Sequence, residues 1–317
     1  MKITDLALVF IMICLPFLIV NEIQLDRLAY ISYRNIEIDH IIDTAVEDGV
    51  ALMLDVDQQG ISINQERALD TFLQTLYLNF GLINDNLSKQ RIMSYIPVVA
   101  IIDYDGLLLY SYTSYTNNSN EKRIEPIWYP KIYYTYNDNA RTYYFTLDDY
   151  VKVFDMENQT LIEGRRKDLE AKFNDGIIAD DQRFDDIRRR AIIQTIEESV
   201  GFHINEHNLY ASLFGIEYEF MLPVIEKDDW NNTIDDISML VFIQGLPIGD
   251  HGEFYNGYAI GGARIVKDEK YFLQIGDNCI GYYHRSNCIE LIDRKLMLDS
   301  QKNCALKGYY PCRLCQP

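Results

Sequence analysis

The sequence predicts an α+β protein. It is expected to have an N-terminal single transmembrane helix continuing into a long stalk helix, a mixed α+β extracytoplasmic body with mainly antiparallel sheet, and a small separate C-terminal module. Three observations predict this. Residues 6–20, LALVFIMICLPFLIV, are fifteen consecutive apolar residues. The middle of the chain carries runs rich in β-branched and aromatic residues, separated by turn residues. The end carries His284-Arg-Ser-Asn-Cys288 and Pro311-Cys312-Arg-Leu-Cys315, separated by 22 residues.

The elements follow in order. Fifteen apolar residues are short for a membrane crossing, but their flanks bring the segment near the roughly 20 residues required. A cleaved signal peptide has the same layout, yet no small-x-small site follows the run. A buried helix of a soluble protein is the third reading. Lys2 precedes the segment and acidic residues follow it, so the N-terminus is expected inside and the body outside. Pro16 is tolerated in a membrane helix. The boundaries expected are an anchor over 1–21, a helical stalk over 22–90, a body over 91–280 and a metal-binding tail over 281–317. The body is one domain, or two subdomains that break near 165–215.

Past the apolar run, Leu25, Leu28, Ile31, Ile38, Ile41, Ile42, Ala45 and Leu52 recur mostly at three- and four-residue steps. That is the pattern of an amphipathic helix, here reaching about Asp55. A second helix is expected over 65–80. PVVAIIDYDGLLLYSYTSY is expected to form a hairpin turning at Asp105-Gly106, because Asp-Gly accepts left-handed backbone. WYPKIYYTY and RTYYFTL form a second pair joined by Asn137-Asp138-Asn139. Residues 150–163 add a short hairpin, and 168–213 form a helical region broken near 175–179. Strands are expected near 217–224, 238–244, 256–265 and 270–275.

Composition narrows the function classes. The 317 residues carry a net charge of −19 and 24 tyrosines with 14 phenylalanines. Such acidity disfavours nucleic acid as a partner, since binding it requires neutralised phosphates. Residues 281–317 are the exception at +3, which allows weak contact with an anionic partner or docking on the body.

In the tail, His284 and Cys288 form an H-x3-C pair, and Cys312 and Cys315 a C-x2-C pair. Two close pairs of N/S ligands suit tetrahedral Zn2+, and four protein ligands leave no open position for water, so the site is structural. Disulfides or inert thiols are the alternatives; cysteines two residues apart bridge with difficulty outside redox-active turns. Cys279 and Cys304 fall outside the pattern. The tail is similar to the Ada-type metal-binding domain, with a His in the first ligand place, and to tails of bacterial exported proteins; Ala305, Gly308 and Tyr309 share in the resemblance.

Over residues 7–52, the apolar segment and the helix after it resemble TadE-like pseudopilins, with Arg27, Tyr30, Ala45 and Gly49 carrying the likeness and Glu22 near the family's membrane-end Glu. This implies a non-enzymatic structural or accessory role in a surface or secretion assembly, with protein partners there. The anchor, long helix and Asp-Gly hairpin also resemble Cache-like sensor domains, which implies a small ligand. An exported hydrolase is the third reading. Asp103-Tyr-Asp105-Gly106 resembles the first motif of haloacid-dehalogenase-type phosphatases, with Leu107 where that family prefers Thr and Asp180-Asp181 as the nearest later acidic pair. His203-Ile-Asn-Glu206-His207 matches the H-x-x-E-H of inverted zinc peptidases. The bland alternatives are a hairpin turn for the first and edge-of-core histidines for the second; no catalytic residue is assigned.

Overall fold

The computed structural model describes residues 3–57, 60–117, 120–138, 140–173, 176–225, 227–249, 252–263, 271–275, 280–284, 288, 291, 297–298, 304–305 and 307–315. The chain divides into two compact units, Met1–Ala263 and Arg264–Pro317.

The first unit opens with α1 (Ile3–Ala51), a helix of 49 residues that runs through Pro16. Among the described residues, no helix is long and apolar enough to cross a membrane, so the transmembrane anchor expected over 1–21 is not supported. The physical reason lies in the length of the run. Its fifteen apolar residues pass directly into Asn21, Glu22, Asp26 and Arg27, and the flanks do not supply the missing length.

The second half of α1 is a packing helix. Ile38, Ile42, Ala45, Val46 and Val50 are buried on one face. The helical stretch expected over 22–90 is then interrupted by a hairpin, β1 (Leu54–Asp57) and β2 (Gly60–Ile63). α2 (Gln65–Asn79) follows, started by Asn64, whose side chain accepts from the Arg67 amide at 3.1 Å. Arg67 also grips Asp55 through two nitrogens at 2.6 and 2.9 Å, tying this hairpin to the helix start. α3 (Asn86–Met93) is capped by Asp85, which accepts from the Leu87 and Ser88 amides.

The sheet begins with β3 (Val98–Asp103) and β4 (Gly106–Thr116), joined through Tyr104-Asp105. Gly106 is the first residue of β4 and pairs with Asp103, rather than supplying left-handed backbone at the turn. Its smallness serves another need. A Cβ there would lie 2.7 Å from the Ile132 carbonyl oxygen. β5 (Lys122–Trp128) pairs with the far half of β4 and was not expected from the sequence. β6 (Ile132–Asn137), β7 (Arg141–Phe145), β8 (Tyr150–Asp155) and β9 (Thr160–Arg165) then form an antiparallel meander.

After α4 (Arg166–Leu169), α5 (Asp181–Ala211) is capped by Asp180 and ends in a 3-10 turn at Ser212–Phe214. Residues 217–224, expected as a strand, form none. α6 (Lys227–Asp235) leads to β10 (Ser238–Ile248) and β11 (Glu253–Gly262). The nine-stranded order is β11-β10-β3-β4-β6-β7-β8-β9, with β5 on β4. β10 is buried along nearly its whole length on both faces. This explains its continuous apolar run MLVFI, since a strand covered on both sides shows no alternation.

α1 lies close on β11 and on α2 because two glycines permit it. A Cβ on Gly261 of β11 would meet Val46 at 2.9 Å, and one on Gly49 would meet the Ala68 carbonyl oxygen at 3.0 Å and Phe72 at 3.1 Å. Asp39 accepts from the Tyr255 hydroxyl at 2.5 Å, and Arg27 ion-pairs with Glu253, fixing the helix along β11. Overpacking such a contact typically costs 1–3 kcal/mol. Gly261→Leu should therefore lower unfolding stability in urea by about 2 kcal/mol. Gly262→Ala is the control, because a Cβ there meets nothing within 4 Å. Equal stability of the two variants would show that α1 does not rest on β11 as described.

Candidate metal centre

The second unit carries a four-stranded sheet, β12 (Tyr271–Ile275), β13 (Gly281–His284), β14 (Met297–Leu298) and β15 (Tyr310–Pro311), in the order β14-β12-β13-β15. β12, expected in the body, belongs to this unit. Among the described residues, Tyr271, Leu273, Tyr283 and Cys304 form a hydrophobic cluster, with Tyr309 packed against them. Tyr271 and Tyr283 meet edge to face at 5.6 Å. Gly281 makes room for Tyr309, whose ring would lie 2.6 Å from an added Cβ.

The site follows from register. β13 and β15 run parallel, with Tyr282 opposite Tyr310 and Tyr283 opposite Pro311. The next residue of each strand is His284 and Cys312, so the pairing delivers both to one end of the sheet. The Cys312 amide donates to the Tyr283 carbonyl at 3.1 Å and holds this junction. Gly308, with φ +81°, turns the chain back after Cys304-Ala305, as its amide donates to Ala305 at 3.0 Å.

His284, Cys288, Cys312 and Cys315 each offer one ligand atom, and these atoms all lie within 4.8 Å of one another. His284 Nδ1 is 3.3 Å from Cys288 Sγ, which is 3.9 Å from Cys312 Sγ. His284, Cys288 and Cys312 are buried, while Cys315 is partly exposed. None of the three sulfurs is in a disulfide. Three thiols and an imidazole converging in a buried space can hold a metal ion. Cys304 is fully buried in the hydrophobic cluster rather than among the ligands. Cys279 lies outside the described residues.

The other two motifs are absorbed into the body. His203 and His207 sit on the inner face of α5. His203 packs on Tyr129 at 4.2 Å, and His207 on Phe220 at 4.7 Å and Tyr112 at 5.5 Å. His207 Nε2 lies 2.9 Å from the Ser94 carbonyl oxygen, so that nitrogen donates and Nδ1 is left buried without a partner. Glu206 is 3.4 Å from the Tyr210 hydroxyl. Among the described residues, metal-type ligand atoms converge in groups of three or more at the tail cluster alone.

Asp103 and Asp105 converge on Lys131, which the motif did not include. Lys131 Nζ is 2.5 Å from Asp103 and also pairs with Asp105. Burial works to lower the lysine pKa, but hydrogen bonds to both carboxylates outweigh it and raise the value. Asp180 caps α5, and Asp181 pairs with Arg166 at 2.8 Å. No local pattern could have shown Lys131, which is 26 residues beyond Asp105. No family model, no curated protein and no solved structure matches the chain.

Burial lowers the His207 pKa to about 4, although the Ser94 hydrogen bond pulls the other way. The folded value therefore lies below the ordinary 6.5, and the unfolded chain binds the extra proton first as pH falls. The contribution of neutral His207 is complete above about pH 6.5 and is lost as pH drops from there towards 4. Body stability, followed by fluorescence of Trp128 and Trp230, should decline across this window by up to about 3 kcal/mol. His207→Phe should flatten the slope. An unchanged slope would place the titrating group elsewhere.

Proposed function

We propose that this chain is a non-enzymatic component of a surface or secretion assembly, with its body outside the cytoplasm and a structural Zn2+ in its C-terminal module. The observation that carries the assembly role is the first half of α1. Phe10, Met12, Ile13, Phe17 and Leu18 are each at least 64% exposed, while the same helix has a buried face from Ile38 onward. Apolar surface of this extent marks an interaction site. The exposed residues at 10–13 and 17–20 occupy every side of the helix rather than one stripe, which suits a helix surrounded by several others. The likeness of residues 7–52 to TadE-like pseudopilins supports the same reading.

For the metal, tetrahedral Zn2+ with bonds of about 2.3 Å sets two thiolates roughly 3.8 Å apart. The 3.9 Å between Cys288 and Cys312 fits that edge. Three thiolates with one imidazole favour zinc over hard, oxygen-seeking cations. In a unit as short as Arg264–Pro317, metal binding supplies much of the folding free energy, on the order of 10 kcal/mol for such sites.

Both halves are testable. Purified protein should carry one zinc per chain, lost in Cys312→Ser and kept in Cys304→Ala. Zinc retained by Cys312→Ser would remove these four ligands from consideration. A photo-crosslinking amino acid at Leu18, introduced in cells, should yield discrete adducts with other protein subunits. The same group at Leu161, on the sheet, serves as the comparison. Absence of any protein adduct from position 18 would overturn the assembly role.

A further inference from the structure

The meander β6 to β9 is covered on one face and open on the other. Tyr134, Tyr143, Phe145, Val151 and Val153 are buried on the covered side. On the open side, strand alternation sets out Tyr133, Tyr144, Phe154 and Leu161. These four wall a cavity of about 340 Å³ that Phe145 and Thr146 also line. Tyr133 and Leu161 expose more than half of their surface at its mouth. This size and this balance of aromatic walls with few polar groups are those of a small-molecule site.

The charges around the cavity decide what it can take. Asp105 and Lys152 are its charged lining residues. Each already has an opposite charge: Asp105 pairs with Lys131, and Lys152 lies 3.5 Å from Glu163. An anion or a cation would thus have to compete with an existing partner and would gain little. A pure hydrocarbon would cover these charged groups and strip their water without replacing its hydrogen bonds, which is costly. A neutral ring with an apolar face and a hydroxylated edge meets both conditions. Its C–H face lies on the aromatic side chains, and its hydroxyls bond to carboxylate and ammonium groups that stay paired.

We propose that the open face of β6–β9 is a binding site for a neutral pyranose sugar, walled by Tyr133, Tyr144, Phe154 and Leu161, with Asp105 and Lys152 hydrogen-bonding its hydroxyls. The site goes beyond the assembly role and does not depend on it or on the metal module. Such a small ligand binds in the millimolar range.

Saturation-transfer NMR on the full chain tests this, with glucose, galactose and N-acetylglucosamine as neutral probes and acetate and ethylammonium as charged ones. Transfer to the ring C–H protons of at least one sugar is expected, with none to the charged probes. Tyr133→Ala and Leu161→Ala, both at exposed positions, should each weaken binding about tenfold with an unchanged circular dichroism spectrum. No transfer to any sugar would overturn the proposal, as would transfer undiminished in both variants. So would preferential binding of a charged probe. A concentration-dependent dimer abolished by Leu161→Asp would also overturn it, since the face would then be an interface between copies.

Discussion

The body rests on the close approach of α1 to the sheet. Gly261 and Gly49 remove the Cβ atoms that would otherwise hold the helix away from β11 and α2. This brings Ile38, Ile42, Ala45, Val46 and Val50 under cover. It also closes one face of β10, the strand that joins the β10–β11 hairpin to β3 and hence to the rest of the sheet. Polar contacts then fix the position of the helix rather than supply its hold. The Asp39–Tyr255 hydrogen bond and the Arg27–Glu253 pair keep α1 in line with β11, whereas burial provides the driving force.

The second unit solves a different problem with little material. A unit as short as Arg264–Pro317 has little core with which to offset the conformational entropy of the residues it orders. Its ligands therefore have a structural meaning even before a metal is considered. They are brought together by a two-residue parallel pairing, β13 with β15, that is weak on its own. Ligand geometry and strand register support each other: a metal held at His284 and Cys312 would lock Tyr283 against Pro311.

Two motifs with the texture of catalytic sites have become parts of the body's packing. His203 and His207 fill the space between α5 and neighbouring aromatic rings, and one hydrogen bond to Ser94 sets the His207 tautomer. Asp103 and Asp105 share the Lys131 ammonium at the base of β6. Buried charge elsewhere follows the same rule. Arg188 donates to the Leu147 carbonyl at 2.6 Å while pairing with Asp185, and Arg166 donates to Ile178 at 2.9 Å while pairing with Asp181. Each charge is buried only where both a counter-charge and a carbonyl meet it.

Periodicity and local spacing made much of this legible in the residues. Of the residues at three- and four-residue steps after Leu25, Ile38, Ile42 and Ala45 lie on the buried face of α1, while Leu25, Leu28 and Leu52 are exposed. Runs of β-branched and aromatic residues between turn residues marked the hairpins β3–β4, β6–β7 and β8–β9. The spacing of His284, Cys288, Cys312 and Cys315 named the four side chains that now converge. These signals are local, so neighbours in the chain carry them. By itself, then, the sequence determined the α+β class, most of the helices and strands, and the chemistry of the tail ligands. Tertiary structure alone decided that Gly106 is small for Ile132 and not for a turn, and that Lys131 joins Asp103 and Asp105. It also decided that β5 pairs with β4, that the apolar run at 6–20 opens a 49-residue helix whose second half packs on the body, and that Tyr133, Tyr144, Phe154 and Leu161 from four strands wall one cavity. Each of these depends on which distant segments meet, and pair contacts across tens of residues leave no periodic trace in a single chain.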